Sequence, residues 1–198
     1  MDFPQFHLRI FTLEKVCNNR PERQWQEYFI AGTVSSLILN EGSIEHLLDD
    51  GTVEVDKVHL NISIAAPYIE LIEEMTAREF LSFHRNFKNY IDNFSVDEIL
   101  AEATLLNAAN KQIRFFSSGM KQRLKLAQAI FSDVPVVLLD EPCTNLDVSG
   151  FELYYKWIEN YCNNRLIIVS SNDKNEYSFC SREINLLQYK LPKPQVPV

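Results

Sequence analysis

Cysteine is sparse in this chain: Cys17, Cys143, Cys162 and Cys180 lie far apart, with no C-x-x-C pair among them. That spacing signals neither a zinc site nor a redox pair, and reduced thiols in a cytosolic protein are the simplest reading. Basic residues are in the minority, 19 Lys and Arg against 27 Asp and Glu, for a formal net charge of -8. They are also scattered, which argues against a nucleic-acid surface, because such a surface gathers its cations on one face. No apolar run approaches the length of a bilayer crossing, and the opening MDFPQFHLRIF lacks the basic-then-apolar pattern of a signal peptide. Any membrane role is therefore expected to come through a partner. His7, His46, His59 and His84 are isolated from one another, so a surface place or core packing is expected of them rather than metal binding.

What is present suffices for one sizeable core. At 198 residues and 46% hydrophobic content, the chain needs no disulfide or metal staple to fold. The segment Phe6 to Val16 alternates imperfectly, as a half-buried strand does, and Ser43 to Leu48 and Thr52 to Val58 read as a hairpin around Asp49-Asp50-Gly51. Leu60 to Ala65 is a further strand candidate. Thr76-x-x-Glu79 and Ser95-x-x-Glu98 are capping-box patterns that open amphipathic runs, so the middle third reads as helical. Ser117 to Phe131 carries Met120, Leu124, Ala127 and Ile130 at helical spacing. Val134 to Leu139 is evenly apolar, which suits a parallel strand covered on both faces. Ser149-x-x-Glu152 reads as another helix start, and Arg165 to Ser170 repeats the buried-strand pattern, completing a βαβ unit. Tyr154, Tyr155 and Trp157 fall on that helix and are expected to pack on the sheet. LPKPQVPV, with its three prolines, reads as an extended tail.

Two stretches carry chemistry. VVLLDEP ends a buried strand on adjacent carboxylates, Asp140 and Glu141, at the sheet edge where ligands bind. Asp140 could hold Mg²⁺ and Glu141 could deprotonate an attacking water; the plainer alternative is a solvated acidic turn. FSSGMKQR, from Phe116 to Arg123, runs through a glycine into a helix, which makes an anion site or an ordinary serine cap. The combination is more specific than either part, because the helix, the strand, the acidic pair and Asn145-Leu146-Asp147 follow without interruption.

This arrangement resembles the ATP-binding-cassette (ABC) ATPases. FSSGMKQR is similar to their signature sequence, VVLLDEP to their Walker B strand and CTNLD to their D-loop. The resemblance implies an α/β fold: a P-loop NTPase-like parallel sheet core, an N-terminal antiparallel β lobe at about 1–60 and a helical signature subdomain at about 68–116. A single domain is expected over 1–190, with 191–198 as the tail. It also implies a head-to-tail pair of cassettes, either a homodimer or sister subunits, with ATP and Mg²⁺ as cofactors. Ser117, Ser118, Gly119, Lys121 and Gln122 would face a nucleotide, Asp140 would hold Mg²⁺, and Glu141 would be the general base. Asn145, Leu146 and Asp147 would line the dimer interface, and a membrane-spanning transporter subunit would be the further partner.

The family's P-loop, G-x-x-x-x-G-K-[ST], is absent. Where it belongs, Tyr28 to Ala31 leads into Gly32 and Thr33, as though a P-loop's first Gly were joined to its last Thr. Either the loop is lost, or residues are missing at this point. Val34 to Leu39 is too short for the helix that a P-loop opens, and Cys17 to Gln26 is compressed, which favours the second explanation. The Q-loop glutamine position falls at Ala66 or Pro67, and the switch histidine position at Ser171 or Asn172. Trp25, Tyr28 and Phe29 lie near the place of an adenine-stacking aromatic. The expected function is an ATP-hydrolysing transporter subunit at the cytoplasmic side of a membrane, bound there through its partner. The alternative is a catalytically degenerate ABC-fold regulatory or scaffold domain that lends its signature segment to a partner. A cassette working on DNA or ribosomes is disfavoured, since the long insertions or paired cassettes usual there are absent.

Overall fold

The computed structural model describes residues 7–11, 43–48 and 51–181. Strands β1 (His7–Phe11), β2 (Ser43–Leu48) and β3 (Gly51–Thr52) form an antiparallel sheet in that order, with His7 opposite Leu47 and Leu48 opposite Gly51. Gly51 sits at φ 132°, a conformation that costs glycine little because it has no Cβ. Asp49 and Asp50, and the Cys17–Leu39 readings including Gly32 and Thr33, lie outside the described residues.

The expected strand from Thr52 to Val58 stops at Thr52, and Val55–Leu60 forms a 3-10 helix instead. Only Val58 of that turn is buried, packing on Ile62, Val136 and Leu138, while Val55 and Leu60 stay exposed. One inward residue in six suits a short turn rather than a strand, whose alternate side chains would need a shared face. The Asn61 N–H closes the turn on Val58 O at 3.0 Å, which is why the next strand starts at Ile62 and not at Leu60.

Strands β4 (Ile62–Ala65), β5 (Val136–Asp140) and β6 (Leu166–Ser170) form a parallel sheet in the order β4-β5-β6. Every residue of β5 is buried, as its even apolarity demands of a central strand. Ile62 pairs with Val136, and Asp140 with Ser170.

Both capping boxes form. Glu79 N–H donates to Thr76 Oγ1 at 3.2 Å while Thr76 N–H donates to Glu79 Oε2 at 2.8 Å, opening α1 (Ala77–Arg85). Ser95 and Glu98 repeat the exchange at 2.8 and 3.2 Å to open α2 (Val96–Glu102). Helix α3 (Ser118–Ile130) buries Leu124, Leu126, Ala127, Ala129 and Ile130. The buried Arg165, just before β6, donates to Ile130 O at 2.7 Å and Ser132 O at 2.9 Å, so a cation satisfies carbonyls left open at the end of α3.

Helix α4 (Val148–Tyr161) is capped by Asp147 and not by Ser149. Asp147 Oδ1 accepts from Gly150 N at 2.9 Å and from Ser149 Oγ at 2.9 Å, so Ser149 already lies within the first turn and donates where it was expected to cap. Trp157, Tyr154 and Phe131 are the largest fully buried side chains, and Phe131 meets Trp157 edge to face at 5.5 Å. The parallel sheet, α3 and α4 thus enclose one core, and the loop after β5 lies against the start of α3. No helix among the described residues is long and apolar enough to cross a membrane.

Candidate functional site

The loop leaving β5 is tightly constrained. Glu141 takes φ 46° and Asn145 φ 66°, the left-handed region that costs a side chain with a Cβ about 1–2 kcal/mol per residue. Several bonds hold this path. Glu141 N–H donates to Ser170 O of β6 at 2.9 Å, Thr144 N–H to Glu141 O at 3.1 Å and Leu146 N–H to Cys143 O at 3.0 Å. From α3, Gln122 Nε2 donates to Pro142 O at 2.7 Å. From the segment after β6, Glu176 Oε1 accepts the Cys143 N–H at 3.0 Å. Asp140, at the strand end, is 4% exposed, whereas Glu141 is half-buried.

The start of α3 lies against the same loop. Ser117 caps it, Oγ accepting from Met120 N at 3.3 Å, and Ser117 and Ser118 are exposed. Gly119 is half-buried, and a Cβ there would come within 3.1 Å of Asn145 O. Glycine lets the helix start and the loop approach at that point. A helix start presents N–H groups without intrahelical acceptors, and its dipole favours an anion.

Lys121 pairs with Glu73 across a cleft of about 470 Å³ that is also lined by Glu70, Ser118, Lys125 and Asn145. Gln122 is buried, its amide engaged on Pro142. Lys125 donates at 3.4 Å to the carbonyls of both Ala66 and Pro67, and burial lowers its pKa. The Q-loop position thus offers only backbone oxygens, and both face a lysine. Ser171 is half-buried, and its hydroxyl accepts from Asp173 N at 2.9 Å, whereas Asn172 is exposed.

Asp147 is exposed, and the Gly150 N–H and then the Ser149 hydroxyl hold its carboxyl below the usual aspartate range. Leu146 is half-buried and reaches within 3.1 Å of the Cβ position of Gly150. The start of α3 and the loop after β5 therefore meet at Gly119 against Asn145 and at Gln122 on Pro142, while Ser171 directly follows Ser170, whose carbonyl takes the Glu141 N–H. Glu176 gives no signal in the sequence: it is one acid in the polar stretch SNDKNEYS.

Among the described residues no three His, Cys, Asp or Glu side chains gather to hold a metal by themselves. Mg²⁺ in nucleotide sites is held by one or two carboxylates together with phosphate oxygens and water, so a single strand-end carboxylate such as Asp140 fits that donor set.

The chain is similar to known proteins. The family model for ABC transporters matches residues 29–144. ABC transporter A family member 7 of Dictyostelium discoideum is 28% identical over 68% of this chain and 16% of its own length. ABC transporter A family member 3 of Arabidopsis thaliana is 31% identical over 65% of this chain and 14% of its own. The uncharacterized ABC transporter ATP-binding protein YcbN of Bacillus subtilis is 35% identical over 46% of this chain and 30% of its own. The chain thus spans less than a third of each of these relatives. In fold it matches a bacterial Atm1-family ABC exporter solved with ATP bound, with TM-score 0.64 and 16% identity, over 80% of this chain and 29% of the exporter. With more than half of its length matched by the family model, this chain belongs to the ABC transporter family and has the fold of its ABC ATPase domain.

Proposed function

We propose that the chain is the ATP-binding and ATP-hydrolysing cassette of a transporter, paired head to tail with a second cassette and docked on a membrane-spanning partner at the cytoplasmic face. The observation that carries the reading is the contact of the α3 start with the acidic loop, through Gly119 against Asn145 O and Gln122 on Pro142 O. It presents an anion-binding helix end and a carboxylate pair from one compact unit. In a head-to-tail pair, Ser117 and the Gly119 N–H of one cassette meet the γ-phosphate held by the other, and Asp147 lies at the interface.

Asp140 is the residue for Mg²⁺, which when bound neutralises phosphate charge. Glu141 orients the attacking water and takes its proton as the bond from the γ-phosphorus to the bridging oxygen breaks, leaving ADP and phosphate. The test uses the full chain with Mg²⁺ and ATP. Glu141→Gln is expected to abolish turnover, trap ATP and stabilise a dimer on size exclusion; an unchanged hydrolysis rate overturns the reading.

Specific observations also favour the degenerate alternative: the sequence has no P-loop, the switch position holds Ser171, whose hydroxyl takes the Asp173 N–H, and the Ala66 and Pro67 carbonyls face Lys125. In that case the chain lends Ser117 and Gly119 to a partner's ATP. Titration with labelled ATP separates the two, since tight binding by the isolated chain supports hydrolysis by its own site, and binding only in a mixed assembly supports lending.

A further inference from the structure

The group that the mechanism leaves unused is Glu176. It lies in a 3-10 turn, Lys174–Tyr177, that follows β6 and the Ser171 position, and it is 4% exposed. Its backbone is pinned: Tyr154 OH donates to Glu176 O at 2.9 Å, and Tyr155 OH bonds to Asn175 O, both from α4. Its side chain then reaches across to the loop after β5, where Oε1 takes the Cys143 N–H at 3.0 Å. Oε2 is sealed from solvent and completes no hydrogen bond of normal geometry among the described residues. Burying a carboxylate with one oxygen so poorly partnered is costly, so the feature calls for a reason.

The loop supplies one. Glu141 is held in a left-handed conformation, and the backbone around it is fixed by Ser170 on its N–H, Gln122 on Pro142 O and Glu176 on the Cys143 N–H. Of these grips, Glu176 alone comes from the segment that begins at the switch position. We propose that Glu176 is a positioning residue: by holding the Cys143 N–H it sets the direction in which Glu141 projects, and it couples that carboxylate to the segment after Ser171. Burial raises the pKa of Glu176, the Ser171 hydroxyl and the Cys143 N–H lower it, and Glu141 and Asp173 raise it further, as expected of an acid placed for geometry despite its electrostatic cost.

The kinetic side of this proposal rests on the ATPase reading, so the test has an arm that does not. In the full chain, Glu176→Ala and Glu176→Gln are compared by hydrogen–deuterium exchange over 141–147 and by Mg²⁺-ATP hydrolysis. Glu176→Ala is expected to speed exchange of the Cys143 amide at least about tenfold while peptides from α4 keep their protection, because one buried hydrogen bond is worth about that factor. Glu176→Gln keeps an acceptor and is expected to restore protection to within about threefold of the parent chain. In turnover, kcat of the Ala variant falls about tenfold with KM within about twofold, and Gln recovers most of it. Unchanged exchange at Cys143, equal loosening of α4, or a Gln variant as impaired as Ala each overturn the proposal. If the parent chain hydrolyses no ATP, the ATPase reading fails by itself, and the exchange arm still decides the role of Glu176.

Discussion

Gln122 and Pro142 are joined by a buried hydrogen bond of 2.7 Å that ties the second turn of α3 to the loop carrying Glu141. Removing the donor leaves a carbonyl without a partner in an enclosed position, which costs about 1–3 kcal/mol. Gln122→Ala is therefore expected to lower the free energy of unfolding by that amount, read as a lower urea midpoint with an unchanged m-value. A loss below about 0.5 kcal/mol would show that water replaces the amide.

Gly119 bears on association more than on stability. Gly119→Ala places a methyl group 3.1 Å from Asn145 O, so the helix start and the loop must part by a few tenths of an ångström. Alanine also improves helix propensity by up to about 1 kcal/mol, and the two effects oppose each other. Thermal stability is expected to change little, whereas ATP-driven pairing, measured by analytical ultracentrifugation in the Glu141→Gln background, weakens at least about tenfold. Normal pairing in that variant removes Gly119 from the nucleotide contact.

Sequence and structure agree where a single local rule decides the outcome. The two capping boxes, the Ser117 cap and the evenly apolar β5 were legible because a hydroxyl three residues from its N–H, or a run with no polar face, admits one arrangement. The start of α4 was misread because Asp147 and Ser149 are both good caps, and only the Gly150 N–H position chooses between them. Val53 and Val55 alternate as a strand does, but within the 3-10 turn Val55–Leu60 the apolar spacing breaks and Val58 alone finds a core. Glu176 and the inward role of Gln122 depend on partners distant in sequence, Cys143 and Pro142, and no local pattern encodes such pairs.

His84 gives the domain an acid-sensitive joint. Its ring bonds to Ser132 Oγ at 2.9 Å and to Gln128 Nε2 at 3.0 Å, and burial, with Lys88 nearby, brings its pKa from 6.5 down to about 4. The unfolded chain therefore takes up this proton first as pH falls. The stability contribution is complete above about pH 7 and is lost progressively from 6.5 down through about 4. His84→Gln is expected to flatten the dependence between pH 6.5 and 4.5 in urea titrations; a slope equal to that of the parent chain assigns it to other groups.

Asp147 separates a folding role from an interface role. As the cap of α4 it needs only an acceptor oxygen for the Gly150 N–H at 2.9 Å, which asparagine supplies as well as aspartate does. Asp147→Asn is therefore expected to leave the Tm within about 2 °C of the parent. Asp147→Ala removes the cap and lowers the Tm measurably. The Gly150 N–H, with Ser149, depresses the carboxyl pKa, so the charge contributes above the unfolded value of 3.8 and is lost as pH falls through the lower folded value. The charge, which is exposed, is then free to act across a head-to-tail interface. If it does, the Asn variant loses ATP-driven pairing while keeping its fold, and the Ala variant loses both. Parent-like pairing in Asp147→Asn would confine this residue to its helix.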